Sequence, residues 1–307
     1  MSSSVVPRTT TSSPGSPRPA RLELTDAEKG ILLPVVYASV FQAPVRLERL
    51  WSQIVGVEMS PMEMRRALEG PALRQILSLS NDLVCLRGSD LEASFIQRES
   101  STRALLERHQ DVLSFVAGLR TVRLAALSGG CAHDAADDGD IDIFVVTEPG
   151  SLWRTLLRST LVAKRRGWRK LLCLNYLVDT TALALPWRDF YGAFELISLR
   201  PFKGEAALAE LIAANPWVES MFPNFFRSRV NGQNPSTKNL DGPLGRFIET
   251  TARMIHRSYL RYRLPNTPGI ELSDRVVRLH TTDHRTRLRG LFQDALQNIG
   301  MEAPSWI

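Results

Sequence analysis

The spacing of apolar residues predicts that ordered structure begins near residue 25 with three short helices and a hairpin. Residues 25–28 form a capping box ahead of an apolar-periodic helix, and residues 60–63 form a second box with proline at the first helical position. Residues 47–55 have the periodicity of a helix, and residues 83–86 follow turn residues as a short strand. This order of elements predicts a winged-helix-like domain over residues 23–92.

The helix predicted after Ser60 carries Arg65, Arg66 and Arg74, and two functions stay open for its domain. A helix of this kind can contact DNA in the major groove, which makes DNA one expected partner. Two or three arginines are also common on the solvated face of an ordinary helix. The composition therefore favours a docking module over a DNA-binding one.

The middle of the chain alternates strands with helices, and its end is mainly helical. Residues 122–127 and the residues after Asp140 have the pattern of strands, and residues 171–178, LLCLNYLV, have the length of a buried strand. Ser151 can cap the helix that follows the second strand. The predicted divisions are a disordered tail rich in Ser, Thr, Pro and Arg (1–22), the winged-helix-like domain (23–92), a central α+β domain (93–232) with helices at 91–119 and 189–199, and a helical C-terminal region (233–307) with amphipathic helices near 243–262 and 282–299.

Composition narrows the class of protein. A chain of 307 residues with 44% hydrophobic residues is long enough for about two domains with cores of their own. No apolar run approaches the roughly 18 residues that a membrane span needs, so we expect a cytoplasmic protein without a membrane partner. Three cysteines without Cys-x-x-Cys spacing predict neither disulfides nor a zinc site. The net charge of +6 suits an anionic partner but carries little weight.

The candidate chemistry lies in residues 127–147, LSGGCAHDAADDGDIDIFVVT. Residues two apart in a strand share a face, so Asp140 and Asp142 present two carboxylates together. Such a pair stays ionised only beside a cation, and Mg²⁺ is commonly held by one or two carboxylates plus substrate phosphates. Upstream, Ser128, Gly129 and Gly130 form a turn whose amides can hold phosphate oxygens. Together these residues predict a Mg²⁺-assisted site for a nucleoside triphosphate.

Three other interpretations of this segment compete. A calcium loop requires acidic residues at alternate positions from Asp134 and a closing glutamate, but Ala136 and Val145 occupy two of those positions. A metal-dependent glycosyltransferase also uses Asp-x-Asp, but it does not need a glycine pair ten residues earlier. A surface turn rich in acids explains neither the glycines nor the flanking apolar strands. A site for nucleotide phosphates accounts for all three features.

A hydrophobic strand, Gly-Gly, about ten residues and Asp-x-Asp in a second strand resemble the signature of the nucleotidyltransferase superfamily, whose fold polymerase β-like enzymes share. Over roughly residues 25–300 the chain is similar to bacterial nucleotidyltransferase-domain proteins with a winged-helix-like N-terminal region, for example in GDIDIFVVTEPGSLWRTLLR and LLCLNYLV. The resemblance implies an α+β nucleotidyltransferase fold, with a mixed sheet and flanking helices, and a nucleotidyltransferase domain at 93–232. It also implies two-metal transfer of a nucleoside monophosphate from a triphosphate; it implies no acceptor, which can be a small molecule, a protein or a nucleic acid.

One departure from the superfamily concerns the third carboxylate of its metal site. The polar residues on the strand expected to carry it are Asn175 and Tyr176; Asp179 lies just past it, and Glu195 falls in a helix, where an ordinary helix-face position is favoured. A buried amide needs a polar partner, so we predict that Asn175 points into the cleft of Asp140 and Asp142. Without a third acid, the alternative function is a non-catalytic nucleotide- or DNA-binding regulator.

Other phosphate-binding residues are predicted from position alone. Arg154 and Arg158 lie one helical turn apart after the Asp-x-Asp strand, and Arg154 is the predicted partner of a β- or γ-phosphate. The basic segment 164–170 is more typical of a solvated helix end. His133 stands near the glycine turn, where a loop position is favoured over a role as general base.

Overall fold

The computed structural model describes residues 23–136, 139–227, 242–264, 267, 269–279, 284–304 and 306, and the predicted tail at 1–22 lies outside them. The described chain is an α+β fold in which helices cover both faces of a mixed sheet. Its strands are β1 (Val45–Arg46), β2 (Leu77–Ser80), β3 (Leu83–Leu86), β4 (Val122–Leu127), β5 (Ile141–Thr147), β6 (Leu172–Asp179), β7 (Arg200–Lys203), β8 (Ile270–Leu272) and β9 (Val276–Leu279). Its α-helices are α1 (Asp26–Val40), α2 (Leu47–Gln53), α3 (Pro61–Leu68), α4 (Pro71–Ile76), α5 (Glu92–Arg108), α6 (Gln110–Gly118), α7 (Gly129–Ala132), α8 (Leu152–Arg166), α9 (Phe190–Ser198), α10 (Glu205–Ala213), α11 (Trp217–Met221), α12 (Pro223–Arg227), α13 (Pro243–Arg263) and α14 (His284–Asn298).

The main sheet has the strand order β7-β4-β5-β6-β9-β8. Strands β5 and β6 run parallel, and each of the other neighbouring pairs runs antiparallel. Helix α8 connects β5 to β6, as a crossover between parallel strands requires. Because parallel strands start at the same edge of a sheet, the Asp-x-Asp segment before and within β5 lies beside the first residues of β6.

Alternation along β5 divides the protein into two cores. Ile141, Ile143 and Val145 pack with α8 and α13 on one face, whereas Phe144 and Val146 belong to a larger core on the other face. That larger core also contains the buried side of α1, of α9 and of α14. The N-terminal elements form a second, antiparallel sheet of order β1-β3-β2 and share this core with the main sheet.

Local signals placed most of the helix starts correctly. The capping boxes at Thr25 and Ser60 are both formed, with each side chain and its glutamate bonded reciprocally. Ser151 occupies the cap position of α8, but its side chain makes no capping bond. The Glu249 carboxylate, from α13, accepts hydrogen bonds from the backbone amides of Trp153 and Arg154 instead, at 2.8 and 2.9 Å. A carboxylate from a distant helix therefore caps α8 and favours its helix dipole.

Three expectations about elements are corrected by the structure. The helix predicted over 91–119 is two helices, α5 and α6, which meet at His109. The C-terminal region is not only helical, because β8 and β9 extend the main sheet by pairing with β6. Residues 200–203, where no strand was predicted, form the edge strand β7. Among the described helices, none combines the length and apolar composition needed to cross a membrane.

Candidate metal and phosphate site

Three potential metal ligands meet at the edge where β5 and β6 begin. One ligand atom each from Asp140, Asp142 and Cys173 lies within 4.8 Å of the others, and all three side chains are partly buried. Cys173 stands directly opposite Asp142 in the register of the two parallel strands. The predicted pairing of the two aspartates is therefore present, and the neighbouring strand adds a thiol to it.

The glycine turn is packed against the second aspartate. The Ser128 amide donates a hydrogen bond to the Asp142 carbonyl oxygen at 3.0 Å, which fixes the end of β4 beside β5. Gly129 has φ +53°, and a Cβ atom there would lie 2.5 Å from Asp142 Oδ2. A Cβ on Gly130 would lie 2.8 Å from the Ala135 carbonyl oxygen. Both glycines are required because backbone and carboxylate approach them more closely than a side chain permits.

Asn175 points into the same cleft as the aspartates, which confirms the predicted placement. Its Nδ2 donates a hydrogen bond to Asp142 Oδ1 at 2.5 Å. Its Oδ1 accepts a hydrogen bond from Cys173 Sγ at 2.6 Å. Asn175 thus orients both a carboxylate and a thiol, and its partly buried amide has the polar partners that it needs.

The strand alternation that led to this prediction does not hold along the whole of β6. The register with β5 shifts by one residue after Asp142, because β6 has a bulge ahead of Tyr176. Leu174 and Leu177 consequently lie in the same core, although they are three residues apart. Leu177 was expected on the face of Asn175 and is on the opposite one. The bulge allows Asn175 to face the carboxylates while the rest of the strand keeps its apolar contacts.

Asp179 does not belong to this site. It is buried near the far end of β6, where it pairs with Thr147. Its carboxylate accepts hydrogen bonds from the Gly150 amide at 2.6 Å and the Thr181 amide at 2.8 Å. It fastens the turn after β5 and the 3₁₀ turn after β6, so it has a structural role.

Glu195 is turned toward the site from α9. Burial, and to a lesser extent the negative charge of Asp142, raise its pKa to about 7, while the charge of Arg285 opposes the shift. The sequence favoured an ordinary position on the helix surface, but the side chain is partly buried and feels the charge of the aspartate. Glu195 of α9 is therefore near enough to Asp142 for the two charges to interact, although it is not one of the three clustered ligands.

Arg154 lies at the other end of the sheet from the carboxylates. Helix α8 starts beyond the last residue of β5 and runs back along the sheet, so its first turn is about 20 Å from Asp140, at 3.3 Å per residue of β5. The Arg154 guanidinium donates to Ser151 Oγ, within its own helix turn. The structure therefore does not bring Arg154 or the exposed Arg158 to the site. The basic segment 164–170 covers the end of α8 and the residues after it, and it lies at the carboxylate edge, as the hydrogen bond from the Ile141 amide to the Leu171 carbonyl shows.

Two arginines that contact the same tryptophan, Trp187, were missed by the sequence reasoning. Arg285 of α14 forms an ion pair with Asp189, and its guanidinium lies 5.0 Å from the centre of the Trp187 ring. The guanidinium of Arg278, in β9, lies 4.2 Å from the centre of the same ring. No local pattern connected them with the acids, because both lie more than 130 residues after Asp142 in the sequence. Cation–π contacts hold both guanidinium groups on the site's side of the sheet.

The N-terminal helix α1 also contributes to the surroundings of the site. Its Tyr37 is buried, and burial raises its pKa, with a further contribution from the charge of Glu195. His133, after the glycine turn, stacks on Phe194 of α9 at 5.8 Å. Burial and the charge of Arg49 lower the pKa of His133 to about 4, so the ring is neutral at pH 7 and a weak base.

The loop after the glycine turn is held by two cations. Asp134 accepts a hydrogen bond from Arg49 of α2 at 2.8 Å and forms a second ion pair with Arg200 of β7. Asp134 thus connects the N-terminal elements to the loop of the site. Asp137 and Asp138, the next two acids of this segment, lie outside the described residues.

Comparisons of the chain with protein-family models, with curated proteins and with solved structures find no match.

Proposed function

We propose that the protein is a metal-dependent nucleotidyltransferase, which moves a nucleoside monophosphate from a nucleoside triphosphate to an acceptor. The observation that carries this proposal is the close approach of the Gly129 backbone to the Asp142 carboxylate, with Asp140 beside it. The glycine turn, which would bind phosphate, and the two aspartates, which would bind a metal ion, are separate in the sequence but adjacent in the structure. Few chemistries other than transfer of a phosphate-bearing group need both.

The donor set fits a divalent cation. Asp140 and Asp142 would hold Mg²⁺ or a related ion, which when bound offsets the negative charge of the α-phosphate and of the leaving pyrophosphate. The backbone of Ser128, Gly129 and Gly130 would orient the phosphate oxygens. Asn175 keeps Asp142 in position through its hydrogen bond. These roles need no histidine, in agreement with the low pKa of His133.

Arg285 and Arg278 replace Arg154 as the proposed partners of the terminal phosphates or of an anionic acceptor. Arg285 is the cation whose charge reaches Glu195, the carboxyl group that also feels Asp142. Strand β9, which carries Arg278, is two strands away from β5. At about 4.8 Å between strands this separation matches the length of a phosphate chain.

The nucleotidyltransferase fold and the winged-helix-like domain at 23–92 are parts of the same proposal. Support comes from the order α1-β1-α2-α3-α4-β2-β3 with its three-stranded antiparallel sheet, and from the parallel pair β5 and β6 around the acids. Arg65 and Arg66 are exposed on α3, where they would meet DNA. The second candidate function, a nucleotide- or DNA-binding regulator without catalysis, is favoured by the amide and thiol that β6 presents where the superfamily has an acid.

Calorimetry with each of ATP, GTP, CTP and UTP in the presence of Mg²⁺ or Mn²⁺ tests the proposal. We expect one triphosphate to bind the wild type, and Asp142→Asn or Asp140→Asn to abolish metal-dependent binding without unfolding the protein. Asp90→Asn is the matched control, because Asp90 is exposed in the turn after β3. Equal binding by the wild type and both site variants would refute the assignment.

A pyrophosphate assay on the same samples separates the two candidate functions. Release of pyrophosphate that depends on Asp142 identifies the enzyme, with the labelled nucleotide traced to protein, added nucleic acid or small molecule. Binding of the triphosphate without release, together with retention on a DNA column that is lost when Arg65 and Arg66 are both changed to Ala, identifies the regulator.

A further inference from the structure

We infer that Cys173 is a third protein ligand of the cation, and that the site consequently prefers a divalent transition ion of the Mn²⁺ to Zn²⁺ series over Mg²⁺. This inference rests on the proposed function for the existence of the site, and it names the class of metal that the site takes. It replaces the expectation of Mg²⁺, which the sequence derived from the two aspartates alone.

The geometry of the three side chains suits one ion. Metal–oxygen and metal–sulfur bonds of about 2.0–2.3 Å allow two ligand atoms of one ion to lie up to about 4.5 Å apart. The ligand atoms of Asp140, Asp142 and Cys173 lie within 4.8 Å of one another, so small side-chain rotations bring them to bonding distance. The parallel register places Cys173 directly opposite Asp142, on the same face of the sheet.

The chemistry of sulfur determines the choice of ion. Mg²⁺ takes hard oxygen ligands in a nearly ideal octahedron and rarely accepts sulfur. Thiolates favour softer ions, and affinities for nitrogen, oxygen and sulfur sites rise from Mn²⁺ to Cu²⁺ and fall again at Zn²⁺. A pair of carboxylates with one thiolate therefore discriminates against Mg²⁺, whereas a third carboxylate at the same position would not.

Asn175 is the positioning residue of this arrangement. Its Oδ1 accepts the Cys173 thiol hydrogen, and its Nδ2 donates to Asp142, so one amide sets the direction of two ligands. When the ion binds, the thiol proton passes to solvent, the sulfur–metal bond forms, and the hydrogen bond from Cys173 to Asn175 is lost. Binding accordingly releases a proton and tightens as the pH rises.

Cobalt(II) is the probe for this inference, because a cobalt–thiolate bond gives a charge-transfer absorption band in the near ultraviolet that oxygen ligands do not give. We expect the full-length wild type to bind Co²⁺ with this band, and Cys173→Ser to lose the band. The control is Cys85→Ser, because Cys85 lies in β3 of the small sheet, far from the acids, and shares a hydrogen bond with Ser78. A band that survives in Cys173→Ser and disappears in Cys131→Ser would overturn the assignment.

A second variant tests the selectivity in a protein that keeps a ligand at this position. Cys173→Asp should shift the ratio of Co²⁺ to Mg²⁺ affinity toward Mg²⁺ by roughly tenfold or more, since even outer ligands change metal affinity by about that factor. An unchanged ratio would contradict the inference. Tight binding of Mn²⁺ or Mg²⁺ through oxygen alone would overturn the role of Cys173 and leave the proposed function standing, whereas no binding of any divalent ion, with or without triphosphate, would overturn both.

Discussion

Replacing Gly129 by alanine should separate the cost of backbone strain from the cost of displacing a metal ligand. Alanine at φ +53° costs about 1–2 kcal/mol in the left-handed region. The new Cβ would lie 2.5 Å from Asp142 Oδ2 and 3.3 Å from Cγ, so the whole carboxylate must move by about 1 Å to regain an ordinary carbon–oxygen contact near 3.3 Å. That movement breaks the bond from Asn175 and turns Asp142 away from Asp140 and Cys173.

Gly56→Ala is the matched control, because Gly56 has φ +69° and nothing lies within 4 Å of its added Cβ. Gly56→Ala should lose about 1–2 kcal/mol of unfolding free energy in urea titrations, and Gly129→Ala should lose about 1 kcal/mol more because a hydrogen bond is broken as well. Gly129→Ala alone should also lose Mn²⁺ affinity in calorimetry, by roughly 10- to 100-fold, the range seen when the support of a metal ligand is disturbed. Equal Mn²⁺ affinities in the two variants would refute the argument that this glycine exists to make room for the carboxylate.

Two further predictions concern stability. Glu195 has a pKa of about 7 in the folded state, against an ordinary value of 4.5. Its contribution to the free energy of unfolding is therefore present below pH 4.5 and is lost as the pH rises through 7. Glu195→Gln should therefore be more stable than the wild type at pH 8 by up to about 3 kcal/mol in chelator, with no difference at pH 4.5; a pH-independent difference in unfolding free energy would contradict this. Asn224 is fully buried; its side chain accepts a hydrogen bond from the Met59 amide at 3.0 Å and donates one to the Val57 carbonyl at 3.1 Å. Asn224→Ala should cost about 2–4 kcal/mol in thermal or urea unfolding, against less than about 0.5 kcal/mol for the exposed Asn298→Ala, and similar losses in the two would show that these bonds are dispensable.

Local signals in the sequence predicted much of the secondary structure and the centre of the candidate site. The capping boxes at Thr25 and Ser60 satisfy backbone amides within one helical turn, so their residues identify a helix start without any distant contact. Strand β4 was predicted with its exact bounds, since its apolar run ends in residues that favour a turn. The sequence also predicted that the glycine turn and Asp142 belong to one site, because two consecutive strands joined by a short connection lie side by side.

Features that depend on the packing of distant segments came only from the tertiary structure. The bulge in β6 decides which residues face the aspartates, and it depends on the register with β5 and not on the residues of β6 alone. The direction of the crossover helix α8 places Arg154 at the wrong end of the sheet, which helix spacing by itself does not show. Glu195 and Arg285 meet near the site from helices about ninety residues apart, and β9 joins the sheet after the same long separation. Periodicity along a chain encodes which face of an element is buried, but the partner against which it is buried is chosen by the packing of the whole fold.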